Sequence, residues 1–244
     1  MNYTLLLAAF IVLVASFIRS ISGFGYALIS TPLLTFIFDA KSVVVMNIIL
    51  SSTTHVMVLY HTRKHIDVKK AMIVIFGSAF GVPLGTYLLS VLDPSIIKLI
   101  IAACVIPFSI ILMLGHSYKF KHDSIGCAIA GFLSGVLAAS TSLGGPPIAL
   151  YMLNQGMTSE RFVGTMAVFL TCISIMSVGA FVSQGLVTLE ILKNAAIFLP
   201  GLIIGSYLGV KLLPKINVVL FKRITSSVLC IMAVVIIVSF IVGA

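Results

Sequence analysis

Charge is what this sequence has least of. Asp, Glu, Lys and Arg make up 9% of its 244 residues, against roughly 25% in a soluble globular domain. Its longest polar stretches run to about ten residues, which leaves no room for a separate soluble domain. Acids are scarcest, six against fifteen Lys and Arg, so the formal net charge is +9 and the isoelectric point about 9.6. That balance would suit nucleic acid if the basic residues were clustered. They lie instead in short loops between apolar runs, where they set membrane orientation, and no nucleic-acid partner is expected. Cys104, Cys127, Cys172 and Cys230 are far apart inside apolar runs with no CxxC pair, which removes dithiol and thiolate-metal chemistry. No cofactor and no bound metal are expected. Catalytic signatures are missing too: no HExxH, no GxSxG, and no histidine after His122. Gly131 to Gly135, GFLSG, looks like a serine-hydrolase motif without a base, so the chain does not read as an enzyme.

What is present is apolar length. Hydrophobic residues make up 60% of the chain and the mean hydropathy is +1.25. Six runs, 42–60, 71–92, 95–114, 162–182, 194–213 and 224–243, are long enough for a helix to cross a hydrocarbon layer of about 30 Å. Four shorter ones, 3–18, 27–38, 125–139 and 147–157, form two pairs, each joined by a Gly/Ser-rich break. At 1.5 Å per residue these reach roughly 17 to 24 Å, so they read as half-helices. The first run has no basic residue ahead of it and no A-x-A-like site, and is read as part of the mature fold.

The two pairs mark an internal repeat. FGSAFGVPLGTYLL (76–89) aligns with PGLIIGSYLGVKLL (200–213), placing Gly77, Gly81 and Gly85 over Gly201, Gly205 and Gly209. Such ridges let helix backbones approach closely and read as packing at a seam between repeats. The fold class is therefore an all-α polytopic membrane protein of two repeats, 1–118 and 119–244, each a half-helix hairpin followed by three transmembrane helices. Loop charge indicates that the second is inverted. If each pair enters and returns, segments 61–70, 115–124, 154–161 and 211–223 share the cytoplasmic side and carry eleven Lys/Arg, against Lys41, Lys98 and Lys193 outside. Reading each pair as one span gives seven against seven, with Arg19 left over. The positive-inside rule selects inversion.

The breaks are the candidate site. The first is Arg19-Ser20-Ile21-Ser22-Gly23-Phe24-Gly25-Tyr26, the second Ser140-Thr141-Ser142-Leu143-Gly144-Gly145-Pro146-Pro147. Glycines there free the backbone, and the start of each following half-helix presents unpaired N–H groups with the positive end of its dipole behind them, an arrangement that binds anions. Pro146 and Pro147 suit a first helical turn. The hydroxyls of Ser20, Ser22, Ser140, Thr141 and Ser142 would add donors without charge. In an inverted fold the two breaks meet near the midplane, where an alternating-access site belongs; the alternative is a plain kink satisfied by neighbouring helices. Arg19 is the sole charge in 3–38 and either neutralises a bound anion or snorkels to the surface. His55, among Ser51, Ser52, Thr53 and Thr54 and two turns from Asn47, either lines a path or bonds neighbouring helices. The other histidines lie in basic loops. All six acids, Asp39, Asp67, Asp93, Asp123, Glu160 and Glu190, sit in loops or at segment ends, so no buried carboxylate is on hand to bind Na⁺ or relay a proton.

Around these breaks the chain resembles the TauE/SafE sulfite exporter family, also called TSUP. SGFGYALISTPLL (22–34) is similar to its Gly-aromatic-Gly motif followed by proline, and SGVLAASTSLGGPPIALYML (134–153) to its second-half Gly-Gly-Pro motif. HTRKHIDVKKA and the Gly-spaced segment after it extend the resemblance along almost the whole chain. It implies a transporter of small sulfur-containing anions, such as sulfite, sulfoacetate or other sulfonates, in a prokaryotic inner membrane. Family members that move thiosulfate resemble one another in cysteines along the pathway; this chain has none beside its breaks, which disfavours that cargo. The expected partners are the anion and the lipid bilayer, with homo-oligomerisation left open.

Overall fold

The computed structural model describes residues 3–22, 25–62, 66–114, 123–153 and 159–212. These form nine helices with no strand among them: α1 (Tyr3–Ser22), α2 (Tyr26–Leu34), α3 (Ala40–Thr62), α4 (Val68–Val91), α5 (Pro94–Leu114), α6 (Asp123–Thr141), α7 (Gly145–Leu153), α8 (Ser159–Ser183) and α9 (Leu189–Leu212). Among the described residues α1, α3, α4, α8 and α9 are each long and apolar enough to cross a membrane. The protein is an all-α polytopic membrane protein. The last expected crossing, 224–243, and the basic stretch from 213 onward lie outside the described residues.

The scarce acids all stand at helix starts. Asp39 Oδ2 accepts the Lys41 and Ser42 amides at 3.0 and 3.2 Å ahead of α3, and Asp67 Oδ1 accepts the Lys70 amide at 3.2 Å as the cap of α4. Asp93 precedes α5, Asp123 opens α6, and Glu160 and Glu190 fall in the first turns of α8 and α9. A carboxylate at a helix N-terminus satisfies orphan amides and opposes the positive dipole end. Asp39, Asp93 and Glu190 are exposed and Asp67 half-buried, so none of these four lies in the bundle interior.

One expectation is corrected. The first member of each pair is not a half-helix: α1 has 20 residues and α6 has 19, about 30 and 28 Å at 1.5 Å per residue. Only α2 and α7, nine residues each, are short. Ser20 and Ser140 lie inside their helices and Thr141 is the last residue of α6, because each hydroxyl bonds a carbonyl one turn back: Ser20 to Ser16 at 3.0 Å, Ser140 to Val136 at 2.7 Å and Thr141 to Leu137 at 2.7 Å. In an apolar surrounding that intrahelical bond is the partner available, so the helices run on to include them.

The glycine ridges pack across the chain's two halves. Gly77, Gly81 and Gly85 of α4 press on the backbone at Ala128, Phe132 and Val136 of α6, while Gly201, Gly205 and Gly209 of α9 press on Ala9, Leu13 and Phe17 of α1. Ala9, Leu13 and Phe17 each precede their α6 counterparts by 119 positions, so the two seams are built alike. A Cβ at Gly81 would collide with the Phe132 carbonyl oxygen and lie 2.9 Å from the Val136 nitrogen. Neither is a side chain that can swing away. Gly81→Ala should therefore cost about 1–3 kcal/mol, read as a lowered thermal midpoint in detergent, while Gly179→Ala, where a Cβ meets nothing within 4 Å, leaves it in place.

Between the seams, α3 packs on α8 and α9 and touches α2. Cross-links fix the ends of the bundle. The Asp67 amide donates to Thr165 Oγ1 at 3.0 Å and Cys127 Sγ to the Lys70 carbonyl at 3.6 Å, bringing the starts of α4, α6 and α8 together; Lys41 Nζ reaches the Ser90 carbonyl at 2.9 Å, joining the start of α3 to the end of α4.

Candidate functional site

The first break turns on Gly25, which caps α2 with φ 110° and ψ −10°, a region closed to side chains with a Cβ. Its carbonyl accepts the Ile29 amide at 3.3 Å. The amides of Tyr26, Ala27 and Leu28 form the first turn ahead of that bond and have no helical acceptor. The second break closes α6 with a left-handed residue: Ser142 has φ 62°, and its amide bonds the Ala138 carbonyl at 2.9 Å. This is the usual geometry of a left-handed helix cap, but with serine where glycine is favoured, so the backbone is strained. Gly144 follows, so close to α6 that a Cβ would lie 2.6 Å from that of Ala138. Pro146 and Pro147 then start α7 without N–H groups. The second helix start is therefore poorer in donors than the first.

Both breaks open on one cavity of about 40 Å³, room for roughly three water-sized groups. Gly25, Tyr26, Ala27 and Leu28 line it from the first break, Ser142, Leu143, Gly144, Gly145 and Pro146 from the second. Arg19, Ser51, His55 and Ser174 complete the polar wall. The spacing of 119 recurs here: Arg19 with Ala138, Gly25 with Gly144, Tyr26 with Gly145, Ala27 with Pro146, Ser51 with Leu170 and His55 with Ser174 are matched positions that all line the cavity. His55 Nδ1 and Ser174 Oγ, one such pair, are 3.0 Å apart.

Arg19 does not snorkel. It sits in the last turn of α1, where the helix dipole favours a cation, and is 2% exposed. Its Nη1 donates to Thr54 Oγ1 on α3. Among the described residues no carboxylate pairs with it. A guanidinium carries five donors. A buried cation on a cavity wall shared with the starts of α2 and α7 favours an anion strongly over a neutral guest.

The other expected residues divide. The structure brings Arg19, Gly25, His55, Ser142, Gly144 and Gly145 to the cavity. Ser20, Ser140 and Thr141 do not line it, their hydroxyls being turned to helix carbonyls. Asn47 does not line it either: its Nδ2 donates to Thr31 Oγ1 at 3.0 Å, and Thr31 Oγ1 lies 2.6 Å from Ser142 Oγ. Ser142 Oγ is also 2.6 Å from the Thr141 carbonyl, so the protons run from Asn47 to Thr31 to Ser142 to that carbonyl. Ser142 has no hydrogen left to give an anion. The chain ties α3 and α2 to the second break and holds its strained turn. Gly23 and Phe24 lie outside the described residues, as does the side chain of Ser22.

Three polar wall residues were not among the expected binding residues. Tyr26 is the last residue of the first break, and its buried hydroxyl has no hydrogen-bond partner among the described residues. Ser51 belongs to the stripe around His55. Ser174 carried a signal that the glycine alignment alone does not expose: it falls 119 positions after His55. None of Cys104, Cys127 and Cys172, the described cysteines, lines the cavity.

A family model described as Sulfite exporter TauE/SafE matches residues 8–236. No curated protein and no solved structure matches the chain.

Proposed function

The chain belongs to the TauE/SafE sulfite exporter family, and from that premise we propose that it carries small sulfur oxyanions, sulfite or the headgroup of sulfoacetate and other sulfonates, through the cavity between its two breaks. The observation that carries this reading is Arg19, a buried guanidinium without a described carboxylate, on the wall where two helix N-termini converge. The size of the cavity supports it, since three water-sized groups correspond to the oxygens of sulfite or of a sulfonate head. The organic part of a sulfonate would need the wall to open.

Arg19 supplies charge, and the first-turn amides of α2 supply most of the neutral donors, with Gly144 and Gly145 completing the cradle. Alternating access follows from two inverted repeats, 1–118 and 119–244, rocking about this site. Matched seams and matched wall positions support a two-fold relation between the halves. The grouping of the starts of α4, α6 and α8 at one end supports the side that the Lys/Arg balance makes cytoplasmic, in a prokaryotic inner membrane. Purified protein in liposomes tests the reading: it should move labelled sulfite or sulfoacetate without another subunit. Liposomes no leakier to these anions than protein-free ones would defeat it.

A further inference from the structure

The cavity wall holds a histidine, and the anion reading gives it no task. His55 is 5% exposed and shares the wall with Arg19 and Tyr26. Histidine ordinarily titrates near neutral pH. Its Nδ1 faces Ser174 Oγ at 3.0 Å, and a hydroxyl can donate to a neutral ring nitrogen or accept from a protonated one. The contact therefore survives either protonation state. An amide or carboxylate partner would favour one of them. Among the described residues the titratable groups that share the cavity wall with the ring are Arg19 from α1 and Tyr26 from α2. The charges carried by the other helices packed on α3, Lys98 on α5, Arg161 on α8, and Glu190, Lys193 and Lys211 on α9, are exposed, and Asp123 and Glu160 stand in the first turns of α6 and α8.

We propose that His55 is the proton-binding residue of the anion site, taking up one proton when a doubly charged oxyanion enters beside Arg19 and none when the anion is singly charged. The inference rests on the anion reading above. With neutral His55, the site's fixed charge is that of Arg19 alone and balances a monoanion. A dianion leaves one negative charge uncompensated in a small, low-dielectric space, where that imbalance is costly. A proton from bulk water added to the His55 ring makes an imidazolium and restores neutrality; when the dianion leaves, the same proton leaves the ring. Proton and dianion then move together, with no buried carboxylate required.

Calorimetry on the full chain in detergent separates the possibilities. Sulfite is titrated at a pH where it is the dianion, in two buffers of different ionisation enthalpy, with methanesulfonate as the monoanion. The expected result is one proton taken up per sulfite bound and none per methanesulfonate. In His55→Gln the uptake falls to zero, and sulfite affinity drops about tenfold or more while methanesulfonate affinity changes little. No uptake by the unmodified protein with sulfite bound overturns the proposal without any variant. Unchanged uptake in His55→Gln overturns it too, since the proton would then sit on sulfite or another group; His55→Asn serves if His55→Gln does not fold. Failure of the unmodified protein to bind either anion would instead defeat the anion reading itself.

Discussion

Arg19→Ala is expected to weaken sulfite binding by at least about 30-fold and to end transport. Removing one member of a buried, hydrogen-bonded charge pair costs about 2–5 kcal/mol or more, much of it from the charge left unpaired. The same substitution should not hinder membrane insertion, because an arginine within a spanning segment is itself costly by about 2.5–3.5 kcal/mol on insertion scales. Arg19→Lys keeps the charge but loses the planar fork, and should fall between the two. The readout is thermal stabilisation by ligand: at a sulfite concentration near 100 times the original Kd, the unmodified protein gains about 2.7 kcal/mol and Arg19→Ala about 0.9 kcal/mol or less. If Arg19 served only to tie α1 to Thr54, the variant would lose ligand-free stability and keep its affinity.

Gly25→Leu is expected to abolish binding by a different route. At φ 110° a side chain with a Cβ is strained by about 1–3 kcal/mol, so either the turn shifts and carries the first amides of α2 with it, or the leucine enters a cavity of about 40 Å³ and fills it. Gly185 separates site loss from strain. It too has a left-handed φ, +67°, with nothing within 4 Å of an added Cβ, and it lies between α8 and α9, away from the cavity. Gly185→Leu should lower the thermal midpoint and leave sulfite affinity within about threefold, because backbone strain far from the ligand acts on stability and not on the site. Equal loss of affinity in both variants would mean that Gly25 matters only for folding.

The breaks were readable from sequence because glycine and proline act locally: Gly25 is needed at its dihedral angles whatever surrounds it, and Pro146 and Pro147 mark a first turn wherever they stand. The glycine ridges were readable for the same reason, since close backbone approach excludes every larger side chain. Helix length was misread where Ser20, Ser140 and Thr141 counted as polar interruptions. Which carbonyl a hydroxyl bonds depends on whether water competes for it, and composition alone does not say. That error also made Ser20, Ser140 and Thr141 into expected donors. Arg19 was recognisable by its cost, a charge alone in 3–38, but its choice between surface and interior depended on Thr54 and the cavity, which only folding brings near. Ser142 lines the cavity, yet its proton is committed through Asn47 and Thr31, a long-range chain that local sequence does not encode.

The central claim is that the anion rests between the start of α2 and the second break, against Arg19. An experimental structure of the protein loaded with selenite, the heavier analogue of sulfite, tests it by anomalous scattering. The account expects one selenium peak inside the cavity, its oxygens within hydrogen-bond reach of the Arg19 guanidinium and the Tyr26 to Leu28 amides. A peak elsewhere in the bundle, or an empty cavity at selenite concentrations that saturate transport, would contradict it.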